Sequence, residues 1–248
     1  SEGAGRAVAA NAGKNIKPSV LELGGSDPFI VMPSAAIEAA ADTAVKARMI
    51  NNGQSCIAAK RFIVHADVYD RFVEAMADRF AALKIGDPMD EETELGPLSS
   101  QDALDTLTGQ VRGLAEAGAT VRAGGQPLDR AGFFFEPTIV TDVPHDADGR
   151  YEELFGPVAL VFRAGDAGEA IALANETSFG LGSAIWSGEQ EEIDRFVDEI
   201  EAGSVFVNQM VASDPRLPFG GVRNSGYGRE LSREGIMAFV NAKTVSVA

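Results

Sequence analysis

Two periods of apolar residues alternate along this chain, and they predict its elements. Residues 28 to 32 form a short apolar run, and so do residues 61 to 64 after a leading Arg61; both read as strands. Between them Ile37, Ala40, Ala41, Ala44, Val45, Arg48 and Met49 recur at helical spacing within residues 34 to about 52, where Gly53-Gln54-Ser55-Cys56 breaks the helix. Phe72, Met76 and Phe80 share one face of a helix predicted over about 68 to 83, ended by Gly86-Asp87-Pro88. The Ala- and Gly-rich start, 1 to about 15, fits a short helix with Ser1 as its cap, and 18 to 23 reads as a strand closed by Gly24-Gly25. Further helices are expected near 102–117, 167–175 and 190–200, with strands near 119–123, 137–140, 158–162, 183–186 and 204–207. Residues 151–157 and the Gly- and Pro-rich 214–228 read as loops, and the chain finishes with a strand-like 243–247.

Strands alternating with helices of this length imply βαβ units. The expected fold class is therefore α/β, with a mostly parallel sheet and helices on both faces. With 248 residues, 45% of them hydrophobic, the chain can bury a sizeable core. Charge narrows the partners: 21 basic against 37 acidic residues leave −16, which repels phosphate backbones and anionic lipid, so neither nucleic acid nor membrane is expected. No apolar run nears the roughly 20 residues a membrane span needs. An anionic ligand would need local positive charge or backbone N–H groups against that field. A single cysteine permits no intrachain disulfide, nothing resembles a metal site, and the cytoplasm is the expected compartment. Beginning at Ser1 without methionine, the chain reads as a fragment or a trimmed product.

Cys56 has two readings: a small buried hydrophobe, or a nucleophile exposed where the backbone breaks after a helix. A thiol nucleophile of the peptidase kind needs a histidine, and the chain offers only His65 and His145, which both read as surface residues. Glu22 also has two. Within apolar Val20-Leu21-Glu22-Leu23 it either faces solvent on an edge strand or lies in a cavity, where burial would raise its pKa toward that of a useful base.

Leu21-Glu22-Leu23-Gly24-Gly25 and Gly53-Gln54-Ser55-Cys56 resemble the two active-site signatures of the aldehyde dehydrogenase family. Glu152-Glu153-Leu154-Phe155-Gly156-Pro157 is similar to that family's cofactor-contacting loop. Asn175-Glu176-Thr177-Ser178-Phe179-Gly180-Leu181-Gly182 and Pro218-Phe219-Gly220-Gly221 resemble two further family segments, in the family's order. The resemblance implies the catalytic, C-terminal half of such an enzyme, with the N-terminal dinucleotide-binding domain largely missing. It divides the chain into the end of that domain (1–24), a catalytic domain (25–228) and a C-terminal segment with an oligomerisation strand (229–248).

By that resemblance Cys56 attacks the aldehyde and Glu22 activates the water that hydrolyses the resulting thioester. Ser1, Leu23, Gly24, Glu153 and Phe155 match cofactor-contacting positions, the cofactor being NAD or NADP. The loop 211–221 resembles that of bacterial succinate-semialdehyde dehydrogenases, which makes Ser213 a candidate contact for a substrate carboxylate. Arg216 is either the cation assisting it or a brace of its own loop. The implied partners are a small-molecule aldehyde and further copies of the chain, as a homodimer or homotetramer. Two alternatives stay open: a CoA-acylating dehydrogenase, against which Glu22 speaks, and a non-catalytic binding or structural protein on the same fold.

Overall fold

The computed structural model describes all 248 residues. Helix α1 (Glu2–Lys14) opens the chain with Ser1 as N-cap, followed by the two-residue strand β1 (Leu21–Glu22). Strands β2 (Pro28–Val31), β3 (Arg61–His65), β4 (Thr120–Ala123), β5 (Thr138–Thr141), β6 (Val158–Ala164), β7 (Gly182–Trp186) and β8 (Ser204–Val207) form one sheet in the order β4-β5-β6-β3-β2-β7-β8. Every pairing in it is parallel except β4 with β5, as alternating helices and strands require.

Alternation along the central strands builds a core on each face. Phe29, Val31, Phe62, Val64, Ala159 and Val161 pack on one side against α2 (Ile37–Met49) and α3 (Tyr69–Ala82). Ile30, Ile63, Val158, Leu160 and Phe162 pack on the other against α4 (Gln101–Glu116), α5 (Ala167–Asn175) and α6 (Gln190–Glu199). Burial on both faces explains why β2 and β3 read as unbroken apolar runs.

The parallel order β6-β3-β2-β7 has one consequence for function. The segments that enter these strands all meet at the amino edge of the sheet: 153–157 before β6, 56–60 before β3, 23–27 before β2 and 179–181 before β7. Open α/β sheets more often place ligands at the carboxyl ends of their strands.

Two expectations fail. The strand over 18–23 shrinks to Leu21–Glu22, which pairs antiparallel with β9 (Gly226–Tyr227) outside the main sheet. Pro18 lacks an N–H, Ile16 sits at φ 53, and β9 offers too short a partner for more. At the other end, after helix α7 (Ser232–Met237), residues 243–247 form no strand and are exposed. A strand needs a neighbour for its ladder, and no segment of this chain supplies one. Phe239, Val240, Val245 and Val247 are left uncovered.

Candidate active site

The turn that presents Cys56 is built from three successive residues with positive φ: Asn51 (50°), Asn52 (57°) and Gly53 (76°). Asparagine tolerates this region better than most residues, and at Gly53 a side chain is impossible. A Cβ there would lie 2.2 Å from the Gly156 carbonyl oxygen, so the Cys56 turn and the 153–157 loop meet backbone to backbone. Asn52 fixes the turn from outside, accepting from the Gly96 N–H (2.8 Å) and donating to the Pro97 carbonyl (3.2 Å). From inside, the buried Arg48 donates to the carbonyls of Gly53 (2.7 Å) and Val158 (3.2 Å).

Beyond the turn the thiol of Cys56 is half-buried. Its charged neighbours are Lys60, Asp27 and Glu153. Burial pushes the thiol above its ordinary pKa, with Asp27 and Glu153 adding to that, while Lys60 and the Ile57 N–H oppose it. Neither histidine takes part. His65 ends β3, the far end of the strand from Cys56, and His145 bonds Tyr151, which removes the peptidase arrangement.

Lys60 joins three segments. Its wholly buried ammonium donates to the carbonyls of Ser55 (2.9 Å), Cys56 (3.0 Å) and Ala58 (3.0 Å), and lies 3.4 Å from Glu153 Oε1. The same Glu153 oxygen accepts the Gly25 N–H at 3.1 Å. Glu153 Oε2 would be 2.3 Å from a Cβ on residue 24, so Gly24 must lack one for the carboxylate to sit there. The Phe155 ring is 43% exposed, with Lys60 Nζ 5.9 Å from its centroid. Thus Cys56, Gly24, Glu153 and Phe155 gather around one cation, and Leu23, whose methyls crowd Gly5 of α1, borders them.

Glu22 settles its own two readings. Both of its carboxylate oxygens are shut off from solvent, and neither makes a hydrogen bond of normal geometry. Burial first, then the neighbouring Glu230, push its pKa up to about 7, against the pull of Arg229 and the Gly221 N–H. A carboxyl group held near neutrality beside a like charge has the makings of a general base. Glycine is needed opposite: a Cβ at Gly220 would stand 2.7 Å from Glu22 Oε1.

A model of the aldehyde dehydrogenase family matches residues 1–245. The chain belongs to that family. It is 57% identical over 248 residues to the protein named succinate-semialdehyde dehydrogenase [NADP(+)] 1 of Mycobacterium tuberculosis (strain ATCC 25618 / H37Rv), covering all of this chain and 54% of that protein. The Mycobacterium avium (strain 104) succinate-semialdehyde dehydrogenase [NADP(+)] is 58% identical over 245 residues, covering 99% and 52%. Among solved structures, succinic semialdehyde dehydrogenase from Streptococcus pyogenes in complex with NADP+ superposes with a TM-score of 0.97 at 41% identity, covering all of this chain and 54% of that one. The chain spans about half the length of the relatives it matches.

For an aldehyde dehydrogenase chain, the remaining expected positions divide as follows. Ser1 caps α1, its side chain accepting from the Ala4 N–H at 3.5 Å. Ser213 is exposed and makes no hydrogen bond within the chain. Arg216 braces its own loop, pairing with Asp214 through Nε at 2.9 Å and leaving no free cation there. Sequence reasoning missed Asp27, Lys60, Arg48, Arg229 and Glu230. For Lys60 and Arg61 a signal existed, because two cations opening an apolar strand must find partners when the strand is central. Arg61 finds the carbonyls of Ser26, Leu173 and Ala174. A groove of about 610 Å³ between α2 and α3, lined by Val45, Met49, Leu83 and Met210 among others, holds none of the site residues.

Proposed function

We propose that the protein carrying this chain oxidises succinate semialdehyde to the acid with NADP, using Cys56 as nucleophile and Glu22 as general base. The observation that carries the reading is Glu22: a solvent-shielded carboxyl, without a hydrogen bond of normal geometry, whose pKa reaches about 7 in a chain with one thiol. Substrate and cofactor are taken from the names of the relatives, whose shared NADP favours that nucleotide over NAD.

The residues fit a nicotinamide. Phe155 leaves an aromatic face open, Gly24 presents bare backbone, and Glu153 lies against Gly24 with Oε2 not engaged by Lys60. Phe155, Leu23, Gly24 and Glu153 would hold it, with Ser1 at the helix N-terminus nearest the phosphates. When bound, the group supplies the hydride acceptor that turns the adduct on Cys56 into a thioester. Before that step, the Cys56 thiolate adds to the aldehyde carbon and the carbonyl oxygen becomes an oxyanion, which backbone N–H groups of the turn receive. Afterwards Glu22 takes one proton from water as its oxygen bonds to the thioester carbon. The Cys56 sulfur leaves as thiolate, the carboxylic acid departs, and Glu22 later gives its proton to solvent. Water as acceptor is what distinguishes this from a CoA-acylating reaction, which has no use for a base at Glu22. Ser213 meets the far carboxylate of the substrate.

Exposed Phe239, Val240, Val245 and Val247 support association of copies through the C-terminal segment, as a homodimer or homotetramer. The deciding test is reduction of NADP at 340 nm by the intact protein with succinate semialdehyde. Turnover with NADP well above that with NAD is expected. No turnover with either nucleotide, while Cys56 remains open to alkylation, would overturn the substrate assignment.

A further inference from the structure

We propose that Lys60 is a positioning residue for the nucleophile: it orients the peptide planes around Cys56 and holds a positive charge beside the thiol. The inference rests on Cys56 being the nucleophile and deepens that reading. Its first support is geometric. The three donors of one ammonium are matched by the carbonyls of Ser55, Cys56 and Ala58, all within 3.0 Å. In a trans peptide the C=O and the following N–H point in opposite directions. Drawing the Ser55 and Cys56 carbonyls onto Lys60 therefore turns the N–H groups of Cys56 and Ile57 away from it. Those two N–H groups donate to no carbonyl or side-chain oxygen, whereas Ala58, Ala59 and Lys60 donate to Ser55, Ala47 and Asp27. The Ile57 N–H faces the Cys56 sulfur. Two aligned donors beside a thiol, neither spent on an oxygen of the chain, are what a developing anion requires.

The second support is charge. Carbonyl oxygens alone could be met by a neutral amide, yet the chain buries a full cation here, in contact with a carboxylate and close to another. The groups facing Lys60 are Glu153 from the loop before β6, Asp27 from the entry to β2, Arg48 from α2 and Cys56 itself. Burial and Arg48 lower the Lys60 pKa, while Glu153 and Asp27 sustain the charge. Through Glu153, which also accepts the Gly25 N–H, the cation ties the thiol turn to the segment that carries Glu22.

Cys56 is the sole cysteine, so its alkylation by iodoacetamide can be followed in the 248-residue chain with no aldehyde or nucleotide present. Rates measured against pH give the thiol midpoint for the wild type, Lys60→Met and Lys60→Arg. Lys60→Met should raise the midpoint by about one pH unit and slow alkylation about tenfold near pH 7.5. Lys60→Arg should recover much of that loss, because it keeps the charge. A Lys60→Met profile that superposes on the wild type overturns the proposal. So does a Lys60→Arg profile displaced as far as that of Lys60→Met, since the role would then be packing. Should circular dichroism show Lys60→Met unfolded, Lys60→Gln decides, since its amide keeps a donor for the carbonyls without the charge: a midpoint moving up supports the proposal, and an unmoved one refutes it. A shifted thiol profile beside an inactive dehydrogenase would sink the proposed reaction and leave Lys60 in place; the reverse pair would sink only Lys60.

Discussion

Replacing Glu22 by Gln removes a carboxyl that the fold makes costly to ionise, and the effect on stability has a definite sign. In the unfolded chain Glu22 ionises around its ordinary 4.5, while in the folded chain it holds its proton to about 7. Between these values the folded state binds more protons, so the contribution of Glu22 to stability is undiminished below about 4.5 and is lost as pH rises through 7. At about 1.4 kcal/mol per pH unit the full displacement would amount to about 3 kcal/mol. Because the side chain is only part-buried and Arg229 lies near, screening reduces this to about 1–2 kcal/mol. The glutamine carries no charge at any pH. Glu22→Gln should therefore match the wild type near pH 4.5 and become more stable than it by that amount at pH 8. Urea denaturation of both proteins at several pH values between 4.5 and 8 measures the difference directly, and other titrating groups cancel in it. A difference that stays flat with pH, or one in which the wild type gains on the variant as pH rises, would refute the assignment of Glu22 as a desolvated carboxyl.

Four further outcomes are expected. In the intact protein Glu22→Gln should keep the first burst of reduced nucleotide and slow thioester hydrolysis about 10²- to 10⁴-fold, which stopped-flow absorbance separates; loss of the burst with normal hydrolysis would contradict it. Cys56→Ala should abolish turnover, there being no second thiol in the chain, while shifting stability by no more than about 1 kcal/mol; surviving turnover in a steady-state assay rules out the thiol route. Gly53→Ala should cost about 2–3 kcal/mol in denaturant unfolding, because its φ of 76° and the Gly156 carbonyl 2.2 Å from the new Cβ both resist it; a loss below about 0.5 kcal/mol would mean the turn yields freely. Phe29→Ala, at the wholly buried centre of the sheet, should cost about 3–5 kcal/mol, and a change under about 1 kcal/mol would show that the core collapses around it.

The sheet was legible because burial on both faces writes itself as runs such as 28–31, and the helices because α2 and α3 carry periodic apolar faces. Where pairing depended on a remote partner, the pattern misled. Pro18-Ser19-Val20 looks like strand but meets a partner only two residues long, and Lys243–Val247 meets none. Cys56 and Glu22 could be singled out as chemically odd residues in apolar or broken contexts. Lys60, Asp27 and Glu230 could not, since their significance comes from segments far apart in sequence meeting at one edge. Lys60 touches Glu153 and Glu22 borders Glu230 only after the strands have paired.

That meeting at the amino edge bears on how this site fails when the protein is warmed. Lys60 immediately precedes Arg61, the first residue of β3, and its amide donates to the Asp27 carbonyl just ahead of β2. The depth of the cation is thus set by strand register, and a slip of one residue would carry it about 3.3 Å out of place and onto the other face. A site ruled by the central ladder of a sheet has no separate melting of its own. Amide exchange at Ile63 and Val64 and the accessibility of Cys56 should change together, in the same cooperative opening, rather than as a loop loosening ahead of the fold.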